Sequence, residues 1–183
     1  MAFKFNTTTL TNVIFNGVSL AKVICNGVTA WIKELILTFT GGSWLQSNIL
    51  DSTYLSTGST VSANKIVYNP SHDGYRAAAY QTTLFDVTNF NKLVMTGTDV
   101  VSYNYNDPIY HSTVIELLNS SGTVVKTLYS VINQKISKTT TANISINHDI
   151  SSLKGNHRIR IHVATWGASY YPKTLNFPTF KLQ

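Results

Sequence analysis

Charge is scarce in this chain. Only 12% of its 183 residues are Asp, Glu, Lys or Arg, and just eight of them are acids. The formal net charge of +6 therefore reflects missing acids more than abundant bases. Nucleic-acid binding calls for clustered Lys and Arg. The densest grouping here is Lys154, Arg158 and Arg160, so no nucleic-acid partner is expected. The single cysteine, Cys25, excludes an intrachain disulfide and reads as an inert thiol in an apolar strand. No apolar run approaches the roughly 20 residues that cross a bilayer, which argues against membrane insertion. The opening "MAFKFNTTTL" lacks the apolar stretch of a secretory signal peptide.

The same poverty bears on catalysis. Glycoside hydrolysis needs two carboxylates facing each other across a cleft, and the chain has two glutamates, Glu34 and Glu116. Glu34 falls at a predicted module boundary. Glu116 stands alone in a predicted strand, suited to pairing with Arg158 or Arg160 or to facing solvent. The six aspartates all read as turn residues. There is no G-x-S-x-G elbow, no H-E-x-x-H and no Cys/His cluster, and the five histidines are scattered. The expectation is a protein that is not an enzyme and carries no cofactor. Turn acids such as Asp73 and Asp107 could hold a structural Ca²⁺ together with backbone carbonyls.

What is present begins with a repetition. "VIFNGVSLAKVICNGVTAWIK" places Val-Ile-x-Asn-Gly-Val at 13–18 and again at 23–28. Asn-Gly between apolar runs is a strong two-residue hairpin signal, because a type I′ turn requires positive φ at both central residues. The pattern predicts a three-stranded meander over 12–15, 18–25 and 28–33. So small a sheet buries little by itself, and an attachment module over 1–34 follows. Phe15, Val18, Leu20, Ile24 and Trp31 are its candidate assembly contacts.

After Glu34 the chain becomes rich in Ser, Thr and Asn, with runs of Ile, Val, Thr, Tyr and Phe bounded by Gly, Asn, Asp and Ser. Strands are expected over 35–40, 66–69, 75–82, 92–96, 100–105, 113–118, 123–131, 143–148, 158–166 and 175–182, with a hairpin turn at 119–122. No segment offers an amphipathic helix. Short strands at this spacing predict an all-β fold, in which the N-terminal β-hairpin/meander module precedes a jelly-roll-like antiparallel β-sandwich over 35–183. Along 158–166, alternation turns Ile159, Ile161 and Val163 inward and leaves Arg158, Arg160, His162 and Trp166 on an outer face.

Three stretches resemble known families. "NGVTAWIK", with the earlier "NGV", resembles the N-terminal segments of many phage tail, baseplate and minor virion proteins, where such a motif precedes a distal β-domain. "LFDVTNFNKLVMTGT" (84–98) and "ISINHDISSLKGNHRIRIHV" (144–163) resemble segments of galactose-binding-like sandwiches, with Asp86 and Asp149 bonding backbone N–H groups in turns. The first resemblance implies a virion protein made in the host cytoplasm and docked on other virion proteins. It also implies self-association as a trimer or ring.

Ten tyrosines are many for this length, and they concentrate in "HDGYRAAAY", "SYNYNDPIYH" and "ATWGASYYPK". Flat rings beside Asn, Asp or Arg suit sugar faces, and equally suit protein interfaces. The candidate glycan-binding residues are Tyr75, Arg76, Tyr103, Tyr105, Trp166, Tyr170 and Tyr171, and the candidate ligand is a host cell-wall polysaccharide. The reading is a structural component of a phage particle, at the tail tip, baseplate, fibre, neck or head. Its alternative is a free-standing carbohydrate-binding module of bacterial origin.

Overall fold

A computed structural model describes the strand backbone at 13–15, 18–20, 22–25 and 28–32, and residues 34–47, 50, 59–70, 76–103, 108–166 and 171–183 in full. In the first segment β1 (Val13–Phe15) pairs with β2 (Val18–Leu20), and β3 (Lys22–Cys25) pairs with β4 (Val28–Ile32). Phe15 opposes Val18 and Cys25 opposes Val28, the closing pairs that two-residue turns demand. The expected single middle strand is divided instead into β2 and β3. The result is two separate two-stranded sheets rather than one meander. The side chains of Phe15, Val18, Leu20, Ile24, Trp31 and Cys25 lie outside the described residues.

From Leu35 onward the chain builds two antiparallel sheets. The short strands are β5 (Leu35–Ile36), β6 (Ser43–Leu45), β7 (Thr60–Ser62) and β10 (Phe85–Asp86). The main strands are β8 (Lys65–Tyr68), β9 (Arg76–Gln81), β11 (Lys92–Val101), β12 (Ile109–Asn119), β13 (Val124–Ile136), β14 (Thr140–Asp149), β15 (Asn156–Trp166) and β16 (Lys173–Leu182). One sheet runs β13-β12-β15-β9-β6, with β10 beside β15. The other runs β14-β11-β16-β8-β7, with β5 beside β16. The chain passes from sheet to sheet at nearly every connection between main strands, and the resulting order is the double Greek key of a jelly roll. No helix occurs among the described residues.

Period-two alternation explains the core. Ile115 and Leu117 of β12 and Ile159, Ile161 and Val163 of β15 meet Leu93 and Met95 of β11, Ile144 and Ile146 of β14, and Leu175, Phe177, Phe180 and Leu182 of β16. Burying each such side chain contributes roughly 1.5–3 kcal/mol. Phe39 joins them, stacked on Phe180 at 4.9 Å and held by a hydrogen bond from the Tyr80 hydroxyl to its carbonyl.

The turns behave as their residues suggest. At 119–122 the Gly122 N–H donates to the Asn119 carbonyl at 3.0 Å, and Gly122 has φ of 88°. Asp86 accepts from the Thr88 hydroxyl at 2.6 Å and from the Thr88 N–H at 2.8 Å, and Asp149 accepts from the Ser151 N–H at 2.9 Å. These bonds hold both carboxyls below the ordinary aspartate range.

Two expectations need correction. The predicted strands 92–96 and 100–105 are one continuous strand, β11, because Gly97-Thr98-Asp99 is not a turn. Gly97 sits at a β-bulge where β11 passes Asn176 of β16 at close range. Asp99 is likewise no turn residue: it is buried within β11, facing between the sheets. The edge strand β13 also departs from regularity, with three register shifts against β12 and Asn133 at φ 51°.

A methyl group at position 97 would overlap the Asn176 carbonyl and the Phe177 ring. Gly97→Ala is therefore expected to lower stability by about 1–3 kcal/mol, read from urea unfolding of the full chain. An unchanged midpoint would remove the close β11–β16 approach.

Candidate functional site at the loop end of the sandwich

The registers place four connections at one end. Val101 faces Thr140 and Lys173, Ile109 faces Ile136, Tyr110 faces Trp166, and Arg76 faces Thr165. Connections 69–75, 102–108, 137–139 and 167–172 therefore all leave from the same end, as loops of a sandwich carrying a site would. The three tyrosine-rich stretches run into this end. Tyr75, Tyr105 and Tyr170, and the calcium candidates Asp73 and Asp107, lie outside the described residues.

The rest of the predicted aromatic set divides. Trp166 is 49% exposed and stacks on Tyr110, its cross-strand neighbour, with centroids 5.3 Å apart and planes 29° from parallel. Tyr103 and Tyr171 form a second stacked pair at 5.7 Å. Tyr171, though, is only 2% exposed, because it packs on Val101, Ile109 and Ile136. It belongs to a small core under the loops and is not a ring offered to solvent. Arg76 is half-buried on the core-facing side of β9, opposite Thr165. Tyr110 was missing from the predicted set, although its spacing to the end of β15 follows once β12 and β15 are paired.

At the same end of the sandwich lies a charged cluster that turn-based reading of the aspartates could not reveal. The Lys173 Nζ is 3.0 Å from Asp99 Oδ2, and both side chains have no exposed surface. The same Nζ lies 2.8 Å from His111 Nδ1, and the Thr113 hydroxyl donates to Asp99 Oδ2 at 2.5 Å. Burial lowers the Lys173 ammonium to about 8. Burial first, and the Lys173 cation second, push His111 down to about 4. His111 is thus a neutral imidazole whose Nδ1 accepts from the lysine.

A second polar group sits on the outer face of the first sheet, where an exposed Arg158–Arg160–His162–Trp166 stripe was expected. Only Trp166 is exposed. His162 has no exposed surface, Arg160 keeps 14%, and Arg158 is half-buried. The physical reason is that Ser47 and Leu50 lie against this face, with Leu50 packed on Ala77 and Ala164. The Ser47 hydroxyl is 2.9 Å from His162 Nδ1, and His162 Nε2 is 3.1 Å from Glu116 Oε2. Arg160 donates to the same oxygen through Nη2 at 2.8 Å and Nε at 2.9 Å. The expectation that Glu116 pairs with an arginine of β15 holds for Arg160. Burial lowers the His162 pKa against the opposing pull of Glu116. A neutral ring then gives Nε2–H to Glu116 and accepts the Ser47 proton at Nδ1. The Ser47 oxygen also accepts from the Leu50 N–H at 3.0 Å.

No protein family's sequence profile matches this chain, and no curated protein matches it. Among solved structures it is similar to the VP2 subviral particle of infectious bursal disease virus, at 12% identity and a TM-score of 0.41, over 72% of this chain and 36% of that one. The chain thus spans about a third of the VP2 subunit. It is also similar to TmCBM61 in complex with β-1,4-galactotriose, at 9% identity and a TM-score of 0.38, over 82% and 87% of the two chains. A family 35 carbohydrate-binding module from Clostridium thermocellum matches at 12% identity and 0.33, over 81% and 96%. None of the three lends this chain its function.

Two predictions follow from the outer-face network. Glu116→Ala leaves Arg160 and His162 buried without their acceptor, and is expected to cost about 3–5 kcal/mol in chemical unfolding. The lowered His162 pKa sets a pH dependence. The unfolded chain takes up a proton near pH ~6.5 that the folded chain refuses, so this stabilisation is complete above that pH and fades as pH falls below it. Thermal midpoints should decline from pH ~6.5 downward, before the carboxylates titrate, and because buried His111 contributes to the same slope, His162→Gln should reduce that slope without abolishing it. A flat wild-type profile there would contradict the assignment.

Proposed function

We propose that this chain is a non-catalytic structural component of a bacteriophage particle. In this reading the hairpins within 1–34 dock on other virion proteins, and the jelly roll of 35–183 presents its loop end outward to host cell-wall polysaccharide. The observation that carries the binding role is the Tyr110–Trp166 pair. The indole is half exposed on a rigid strand and braced from behind by a phenol, an aromatic surface ordered before any ligand arrives. Weak sugar contacts of this kind gain strength from many copies on one particle. The docking role rests on the resemblance of "NGVTAWIK" to virion proteins, together with two hairpins that share no sheet with the sandwich.

The non-catalytic reading has its own support. Ser47, His162 and Glu116 are connected as nucleophile, base and acid would be, but the Ser47 hydroxyl is buried and engaged at both its proton and its oxygen. It works as a clasp between His162 and the Leu50 backbone.

The alternative, a free-standing carbohydrate-binding module of bacterial origin, shares the Tyr110–Trp166 surface and differs in having no particle to join. Retention of the full chain on immobilised cell-wall polysaccharide fractions tests the binding role. Trp166→Ala should weaken retention about tenfold and Tyr110→Ala by a smaller factor, with the melting temperature nearly unchanged. Equal retention of the Trp166→Ala protein would end the glycan assignment. Gradient-purified particles test docking: the full chain should co-sediment with them and a 35–183 chain should not. Co-sedimentation of the shortened chain would refute the hairpins' role, and absence of the full chain from particles would favour the free-standing module.

A further inference from the structure

The Asp99–Lys173–His111 cluster is unusual as an ion pair. Two opposite charges share a site with no exposed surface, and Asp99 Oδ1 is buried without a hydrogen-bond partner. Removing both ions from water costs several kcal/mol each, and mutual attraction repays this only when the remaining lone pairs are satisfied. One carboxylate oxygen here is not. The arrangement is poor as a stabilising salt bridge and well suited to a reaction.

We infer that Lys173 and Asp99 condense to an intramolecular isopeptide bond joining β16 to β11. The two residues are diagonal neighbours, since Asp99 opposes Leu175 and Val101 opposes Lys173, and both point into the core. Nζ is held 3.0 Å from Asp99 Oδ2, beside the Cγ it attacks, and partners held together in this way react as if at very high concentration. Burial lowers the Lys173 pKa to about 8, so the amine with its free lone pair is reached close to neutral pH.

The step balances without a co-reactant. The ammonium passes one proton to the carboxylate, directly or through His111 Nδ1, giving amine and acid. Nζ attacks Cγ and the C–N bond forms. The tetrahedral centre then expels one carboxyl oxygen, which leaves as water with the second amine proton, relayed by His111. The Thr113 hydroxyl, donating to Oδ2, stabilises charge on the oxygen during attack. The products are a neutral amide and one water. Two buried charges disappear.

The experiment is intact-mass spectrometry of the purified full chain, with peptide mapping. The expected mass is that of the sequence less one water, with a branched peptide linking the Asp99 and Lys173 segments. Lys173→Arg and Asp99→Ala should each restore the full sequence mass. Asp99→Asn should lose ammonia instead and reach the same final product. His111→Ala should slow bond formation in protein followed after synthesis. Suppose the wild-type chain, shown folded by its β-sheet circular dichroism and a cooperative melt, keeps its full mass and yields only linear peptides. The inference is then overturned. It is equally overturned if a water is lost but maps elsewhere. Neither result touches the binding or docking roles.

Discussion

Strands β12 and β15 are buried on both faces, and the rest of the molecule answers to that. Their inner side chains make the hydrophobic core with the second sheet. In the middle of the outer face their side chains are buried as well, where Ser47 bonds His162 and Leu50 packs on Ala164, while Trp166 at the strand end stays exposed. A buried polar group without a partner costs about 1–3 kcal/mol, so Glu116, Arg160 and His162 must answer one another. The single-oxygen convergence on Glu116 Oε2 is the consequence, and Ser47 completes it while anchoring the covering segment. Packing and hydrogen bonding are here one requirement seen from two sides.

Two of the three alanines of β9 make this covering possible. Ala77 and Ala79 project on the outer face opposite Ala164 and His162, and leave a shallow surface on which Leu50 can rest. The two ends of the sandwich divide the remaining work. One end is closed by carboxylate turns at Asp86 and Asp149. The other gathers the tyrosine-rich connections above a small core and a buried lysine.

Much of this was legible in residue pattern alone. Alternation along β15 correctly turned Ile159, Ile161 and Val163 inward, and Asn-Gly predicted both N-terminal hairpins. Failures came where a local rule met a long-range contact. Gly97-Thr98-Asp99 carries turn residues, yet the sheet needs a bulge there, and Asp99 is drawn into the core by a lysine 74 positions later. "RAAAY" gives no sign that its small side chains accept a covering segment. Arg158–Trp166 shows which residues share a face, and period two cannot say whether that face is wet. Tyr171 looked like a loop aromatic because its packing partners come from three distant strands.

One feature of the topology reaches into how the protein is made. Strand β16, the final strand, lies in the middle of its sheet, between β11 and β8, and Gln183 exchanges backbone hydrogen bonds with Lys92. Until β16 leaves the ribosome, β11 and β8 have an unoccupied slot between them, with ladder groups and apolar faces bare. Closure then demands pairings between segments far apart in the chain, which is slow by the entropy of loop closure. The nascent chain is consequently most vulnerable to pairing with its neighbours before β16 is in place, and its yield will depend on synthesis rate and temperature more than its folded stability suggests.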